Sequence, residues 1–172
     1  MKSFRQRAAE GLRAGDRFTL SRCFSQADIQ GFARLSRDYN PVHFDAEFAA
    51  ARRFRAPVSH GLLTASLLTE IGGQIGWLAS TMTFQFKQPV YAGDTITCHW
   101  VIQVLDAQGR ATAAISMTNE DGITVLEGQT RGLVPGVKER EVLVRMLAEG
   151  DPTNGAANGA ANGAAGAGND QP

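Results

Sequence analysis

Residues 59–73 read SHGLLTASLLTEIGG, and a helix drawn through them carries apolar or small residues on nearly every face until Gly72 and Gly73. A helix with no polar face has to be enclosed by other elements, so this stretch predicts the centre of a fold. What encloses it follows downstream. Four strand-like segments come in succession, STMTFQFKQPV, DTITCHWVIQVLD, RATAAISMTN and GITVLEGQTRGLV. Gly93-Asp94, Ala107 to Gly109 and Glu120 to Gly122 separate them as hairpin turns do.

Upstream, Asp16 to Phe24 alternates as a strand. FSQADIQGFARLS then opens on Ser25 with Asp28 three residues on, a capping-box spacing that predicts a helix start. Asn40 precedes Pro41 and is driven out of the helical region, so that helix is expected to end close to Asp38. DAEFAAARRF predicts a short helix begun by Asp45, and VKEREVLVRMLAEG a short docking helix near the end. One strand, then helices, then a run of antiparallel strands describes an α+β domain of hotdog-like layout, a curved antiparallel sheet wrapped around a central apolar helix.

With 172 residues, 17 basic and 17 acidic side chains and 43% hydrophobic content, the chain has material for one core. A formal charge of zero and the lack of a basic run offer nothing to nucleic acid. No apolar stretch approaches the roughly 20 residues that span a bilayer. The basic N-terminus lacks the apolar segment of a secretory signal, so a cytoplasmic location is expected. Cys23 and Cys98 lack metal-site spacing and are expected to be core thiols. After Gly150 the composition changes to DPTNGAANGAANGAAGAGNDQP, without an aromatic or branched aliphatic residue. The reading is a domain over 1–150 and a disordered low-complexity Asn/Gly/Ala tail over 151–172.

Chemistry concentrates in LSRDYNPVHFD, Leu35 to Asp45. A carboxylate at Asp38 faces the negative end of the preceding helix, at a cost of a few tenths to ~1 kcal/mol. Pro41 stiffens the turn that brings His43 back toward it. An Asp and a His on one rigid turn can hold a water between them for acid–base work. The plainer reading is that Asp38 and Asn40 hydrogen-bond a turn and that His43 is a satisfied core histidine. Gly61, at the expected first turn of the central helix, offers a backbone amide unobstructed by a side chain, which suits a developing oxyanion. A glycine demanded by close helix–sheet packing is the alternative. Ser59 and His60 lack a nucleophile elbow, and three scattered histidines, His43, His60 and His99, without a ligand motif argue against a metal centre.

Taken together, SRDYNPVHFD, PVSHGLLTASLL and FKQPVYAGDTI resemble the MaoC-like, (R)-specific enoyl-CoA hydratase family of hotdog proteins, over roughly Gly15 to Pro135. The resemblance implies that Asp38 and His43 are the catalytic pair, that Gly61 gives the oxyanion amide, and that Asn40 shapes the turn. It also implies a supporting hydroxyl from Thr69 or, second, Ser66. Arg37 stands where the commonest form of the motif has glycine. The implied reaction is reversible syn hydration of a trans-2-enoyl thioester to the (3R)-3-hydroxyacyl thioester. Coenzyme A or an acyl carrier would bear the substrate, with no metal or redox cofactor. Arg52, Arg53, Arg55 and Lys87 are candidates for its phosphates or for plain surface charge; Trp77, Phe84 and Phe86 are candidates for an acyl tunnel or for plain core. A homodimer is expected, because a half-wrapped sheet leaves an exposed edge. The competing readings are a hotdog acyl-CoA thioesterase and a non-catalytic acyl-binding domain.

Overall fold

The computed structural model describes residues 2–151. Its frame is a five-stranded antiparallel sheet in the order β1-β3-β4-β5-β2. The strands are β1 (Arg17–Cys23), β2 (Leu78–Phe86), β3 (Thr95–Leu105), β4 (Arg110–Thr118) and β5 (Thr124–Leu133). Side chains alternate along β4, where Ala111, Ala113, Ile115 and Met117 are buried, as expected of a strand with one face on the core.

The central apolar stretch forms two consecutive helices, α4 (Gly61–Ala65) and α5 (Leu67–Ile75), where one was expected. The break falls at Ser66, whose amide reaches the carbonyls of both Leu62 and Leu63 and whose hydroxyl donates to Leu63 O at 2.6 Å. A serine that bonds its own preceding turn competes with the regular helical ladder. Leu67, Leu68, Ile71 and Ile75 of α5 are buried with Phe18, Ile96, Trp100, Ile102, Met117 and Leu126 from the sheet. Trp77 leaves α5 to pack edge-on against Trp100 at 5.0 Å and donates its indole N–H to Thr130 Oγ1 at 3.2 Å. It is a core residue. Gly76 ends α5 at φ 68°, and a Cβ there would lie 2.7 Å from Pro135, so both conformation and space require glycine.

Around this core lie α2 (Gln26–Ser36), α3 (Ala46–Ala51) and α6 (Val137–Ala148) near the predicted places. Ser25 and Asp28 form the capping box read from the sequence, and Asp45 Oδ1 accepts the Phe48 amide at the start of α3. One helix was not anticipated, α1 (Phe4–Glu10), which packs against α6 and α5. Ser3 and Gln6 cap it by the same reciprocal device as Ser25 and Asp28, a signal present in the sequence. Phe4 fixes it by an edge-on contact with Phe18 at 5.1 Å.

Two expectations change. Cys98 is buried, and burial pushes its thiol up to about 12. Cys23, however, is exposed, because edge strand β1 buries only Phe18 fully. The domain boundary also moves by one residue: Asp151, assigned to the tail, is buried and pairs with Arg5 Nε at 3.5 Å, beside an Arg5 bond to Gly73 O. Residues 152–172, read as disordered from composition, lie outside the described residues. Among the described residues no helix is long and apolar enough to cross a membrane.

Both partners of the Arg5–Asp151 pair have side chains under 10% exposed, at 9% and 4%. Removing one strands the other in the interior. Asp151→Ala is expected to lower unfolding free energy by about 3 kcal/mol, in the range for breaking a buried pair, whereas deletion from residue 152 onward leaves this pair intact. Urea unfolding of the two variants checks this, and equal midpoints would refute it.

Candidate active site

Helix α2 stops because Arg37 turns left-handed, at φ 62° and ψ 20°, with its amide donating to Ala33 O. That position is where helices most often place glycine, which is the physical reason for a glycine in the commonest motif. Asp38 then leaves the helix and is pinned at three points. Its amide donates to Ser36 Oγ at 3.2 Å, its carbonyl accepts His60 Nε2–H at 3.0 Å, and its Oδ1 accepts the Asn40 amide at 3.1 Å. Asn40 in turn accepts the Val42 amide on its own Oδ1 at 3.2 Å and caps a single 3-10 turn, Pro41–His43, with the proline at its start. Asn40 thus bonds to both sides of the turn through its amide and its side chain.

The turn delivers His43 into a buried position against the Val58 carbonyl, 2.8 Å from Nδ1. A carbonyl only accepts, so Nδ1 carries the proton and the neutral ring presents a bare Nε2 lone pair. That lone pair faces Asp38 Oδ2 at 3.8 Å. The gap is too long for a direct hydrogen bond and close enough for one water to touch both atoms at about 2.8 Å. Burial holds the His43 imidazole below the usual histidine range, seconded by His60, while the Val58 bond and Asp38 pull the other way. His43 is enclosed and Asp38 is half open to solvent, with side chains 10% and 49% exposed.

Gly61 begins α4, where its amide has no acceptor within the helix. It lines a cavity of about 410 Å³ with His43, Ser59, Thr64, Phe86 and Lys87 among its walls. A Cβ on Gly61 would meet the Phe86 ring at 2.7 Å, so closeness rather than backbone conformation calls for glycine here. Both readings of Gly61 are thus compatible: it packs tightly and it leaves its amide open. Phe86 is exposed and lines the cavity, unlike Trp77. Lys87 also lines it and pairs with Glu127 at 3.1 Å. Arg55 lies over Tyr91 at 4.1 Å and 3.6 Å from Asp94.

Thr69 is not among the hydrogen-bond partners of Asp38 in the described residues. It is exposed on α5, and its hydroxyl donates to Ser66 O at 2.7 Å, occupying the carbonyl beside the helix break. The sequence reading missed two other groups. His60 is stacked on His43, ring centres 3.8 Å apart, and Thr64 is buried in the cavity wall. Two of the three histidines come together while His99 sits on β3 beside Thr19: Asp38, His43 and His60 have potential ligand atoms within 4.8 Å of one another. His60 Nε2 already serves the Asp38 carbonyl and the two rings lie face to face, an arrangement poorly suited to converging on one ion.

The family model described as MaoC like domain matches residues 4–125. The chain belongs to the MaoC-like domain family. An (R)-specific enoyl-CoA hydratase from Aeromonas caviae is 33% identical over 127 residues, covering 71% of this chain and 95% of the relative. A 3-hydroxybutyryl-CoA dehydratase from Methylorubrum extorquens is 30% identical, covering 82% of this chain and 92% of that protein. Among solved structures, the Aeromonas caviae (R)-hydratase superposes with a TM-score of 0.68 at 32% identity, covering 73% of this chain and 99% of that one. The MaoC-like fold thus accounts for the sheet and the central helix.

Arg37 is the one non-glycine residue of this turn held left-handed. Arg37→Gly is expected to stabilise the MaoC-like domain by up to about 1 kcal/mol, since it relieves αL strain at the expense of unfolded-chain entropy. Thermal unfolding should show a rise in Tm, and a fall would mean that the arginine side chain contributes more than its backbone costs.

Proposed function

We propose that this MaoC-like chain is a reversible (R)-specific enoyl-CoA hydratase and 3-hydroxyacyl-CoA dehydratase. The observation that carries the proposal is the pair of acceptors, His43 Nε2 and Asp38 Oδ2, 3.8 Å apart beside the cavity that Gly61 lines. A water between them gives a hydrogen bond to each and turns an oxygen lone pair toward the substrate. Gly61 N–H donates to the thioester carbonyl oxygen, so that charge moving onto that oxygen is stabilised where it forms.

In hydration the water oxygen bonds to C3 of the enoyl thioester while one water proton passes to the Asp38–His43 pair. The C2–C3 π electrons move toward the carbonyl, and the held oxyanion bears the charge. As the carbonyl re-forms, the pair returns the proton to C2. Hydroxyl and proton arrive from one side because both come through the same two side chains, which gives syn addition. The (3R) outcome is taken over from the named relatives. These steps use side chains, one backbone amide and water, since the thioester itself makes C2 able to carry charge.

Asp38→Asn and His43→Ala are each expected to lower kcat by at least about 10²-fold, the low end of what a positioned acid–base group contributes. Loss of crotonyl-CoA enoyl absorbance measures the reaction, and free thiol is followed in parallel. Thiol release without loss of enoyl absorbance would replace the hydratase with a thioesterase. No change in either, in a folded protein, would favour acyl binding without turnover. The neutral form of His43 is the active one and its pKa is depressed. Activity should therefore be level above pH 7 and fall on the acid side, below the ordinary histidine value of about 6.5. The same shift makes the native state lose stability as pH drops through and below that value, because the unfolded chain then takes up the proton more readily.

We further propose a homodimer. Strand β2 is a sheet edge that exposes Leu78, Met82 and Phe86, and the open side of Asp38 lacks cover in a single chain. A second copy along this edge would cover apolar surface and narrow the approach to the pair. Light scattering at micromolar concentration should give twice 18.4 kDa; an active particle of 18.4 kDa would exclude it.

A further inference from the structure

His60 touches both halves of the catalytic pair. Its Nε2 lies 3.0 Å from the Asp38 carbonyl oxygen and its ring stacks on His43 at 3.8 Å with 28° between planes. The ring is closed in on other sides by Phe32 at 5.1 Å and Phe44 at 6.0 Å, and the residue is 1% exposed. Because a carbonyl oxygen cannot donate, the His60 proton sits on Nε2. Nδ1 is then a bare acceptor, and it is buried without a hydrogen-bond partner among the described residues.

A ring needed only for filling would be better served by phenylalanine, which buries no unmet acceptor. A donor needed only for the Asp38 carbonyl would be better served by an amide. Only a flat ring bearing one N–H does both tasks. His60 also sits at the N-cap of α4, the residue before Gly61, so the element that presents the oxyanion amide is the one that grips the pair.

We propose that His60 is a positioning residue, one that fixes the separation of Asp38 and His43 and their register against Gly61 through the Nε2–H bond to Asp38 O and the stack on His43. It touches no reacting atom. The inference rests on the hydratase reading above and assigns the residue that keeps its geometry. Asp38 follows a left-handed residue and is exposed, so without the carbonyl bond it retains only the Ser36 and Asn40 contacts.

The test uses the full chain with His60→Gln, which keeps a donor and loses the ring, and His60→Phe, which keeps the ring and loses the donor. With crotonyl-CoA, kcat is expected to fall about 10-fold to 100-fold in His60→Phe and less in His60→Gln, with KM changed under about threefold. The acid limb of the pH profile should move upward in both. His43 faces Asp38 and His60 directly, with Lys87 in the same cavity wall, and losing His60 removes one of the influences that hold its pKa down. A purely structural defect would scale the active fraction and leave that limb in place. Both variants folded, with kcat within twofold of wild type and an unmoved limb, would overturn the proposal. Should both misfold, nitrogen NMR of the wild-type chain decides: a proton on His60 Nε2 and on His43 Nδ1 supports the assignment, and a His60 proton on Nδ1 refutes it. Wild-type turnover is measured first. Its absence would sink the hydratase reading, while the tautomer measurement still judges the His60 geometry.

Discussion

Everything near the site depends on α5 being held immobile against the sheet. Leu67, Leu68, Ile71 and Ile75 are each at most 1% exposed. At about 1.5–3 kcal/mol per fully buried aliphatic side chain they contribute roughly 6–12 kcal/mol before entropy is subtracted, comparable with the net stability of a whole domain. The short α4 is joined to this anchor through a single serine. Gly61 and His60 consequently occupy fixed places even though they lie at the end of the buried stretch. The turn carrying Asp38 and His43 has no such anchor of its own. It is held by hydrogen bonds to groups that the anchored segments supply, the Val58 carbonyl and the His60 ring.

That division explains the distribution of charge. His43 lies deep, makes its Nδ1–H bond to a backbone carbonyl, and is kept neutral by desolvation, so its Nε2 is an acceptor at neutral pH. Asp38 stays half exposed, and one of its oxygens is spent on the Asn40 amide. One acceptor is dry and the other wet. A water placed between them would meet one acceptor enclosed by the protein and one open to solvent.

Much of this was written plainly in the sequence. The apolar Leu62 to Ile71 stretch and the four strands after it led to the fold, and DYNPVH led to the turn, because hydrophobic period and proline stereochemistry are local properties. Ser25 with Asp28 marked α2 correctly, and Ser3 with Gln6 carried the same signal for α1 without being used. What escaped the reading is contact between distant segments. No spacing rule places His60 on His43, since their stacking depends on how α4 meets the Pro41–His43 turn in space. Thr69 shows the converse. A regular helix was assumed through residues 59–73, but Ser66 bonds its own preceding turn and Thr69 bonds Ser66, so that hydroxyl serves the helix break. Cys23 was misplaced because an edge strand need not bury both of its alternate positions.

Several buried polar atoms without a hydrogen-bond partner among the described residues fall in one short stretch. Ser59 Oγ, His60 Nδ1 and Thr64 Oγ1 belong to one stretch of six residues at the α4 N-terminus, and Ser59 and Thr64 line the same cavity as His43 and Gly61. Each such atom costs about 1–3 kcal/mol when nothing meets it, a large fraction of what a domain of this size retains. Valine at either hydroxyl position, or phenylalanine at position 60, would remove that cost without changing the fold class. A sequence that keeps polar atoms where apolar ones would be more stable departs from the stability optimum there. This stretch adjoins the proposed site of Asp38, His43 and Gly61, although elsewhere Trp100 Nε1 and Arg140 Nε are likewise buried without a hydrogen bond. The unmet hydrogen-bonding groups of Ser59, His60 and Thr64 thus lie beside the geometry of Asp38, His43 and Gly61 on which the proposed chemistry rests.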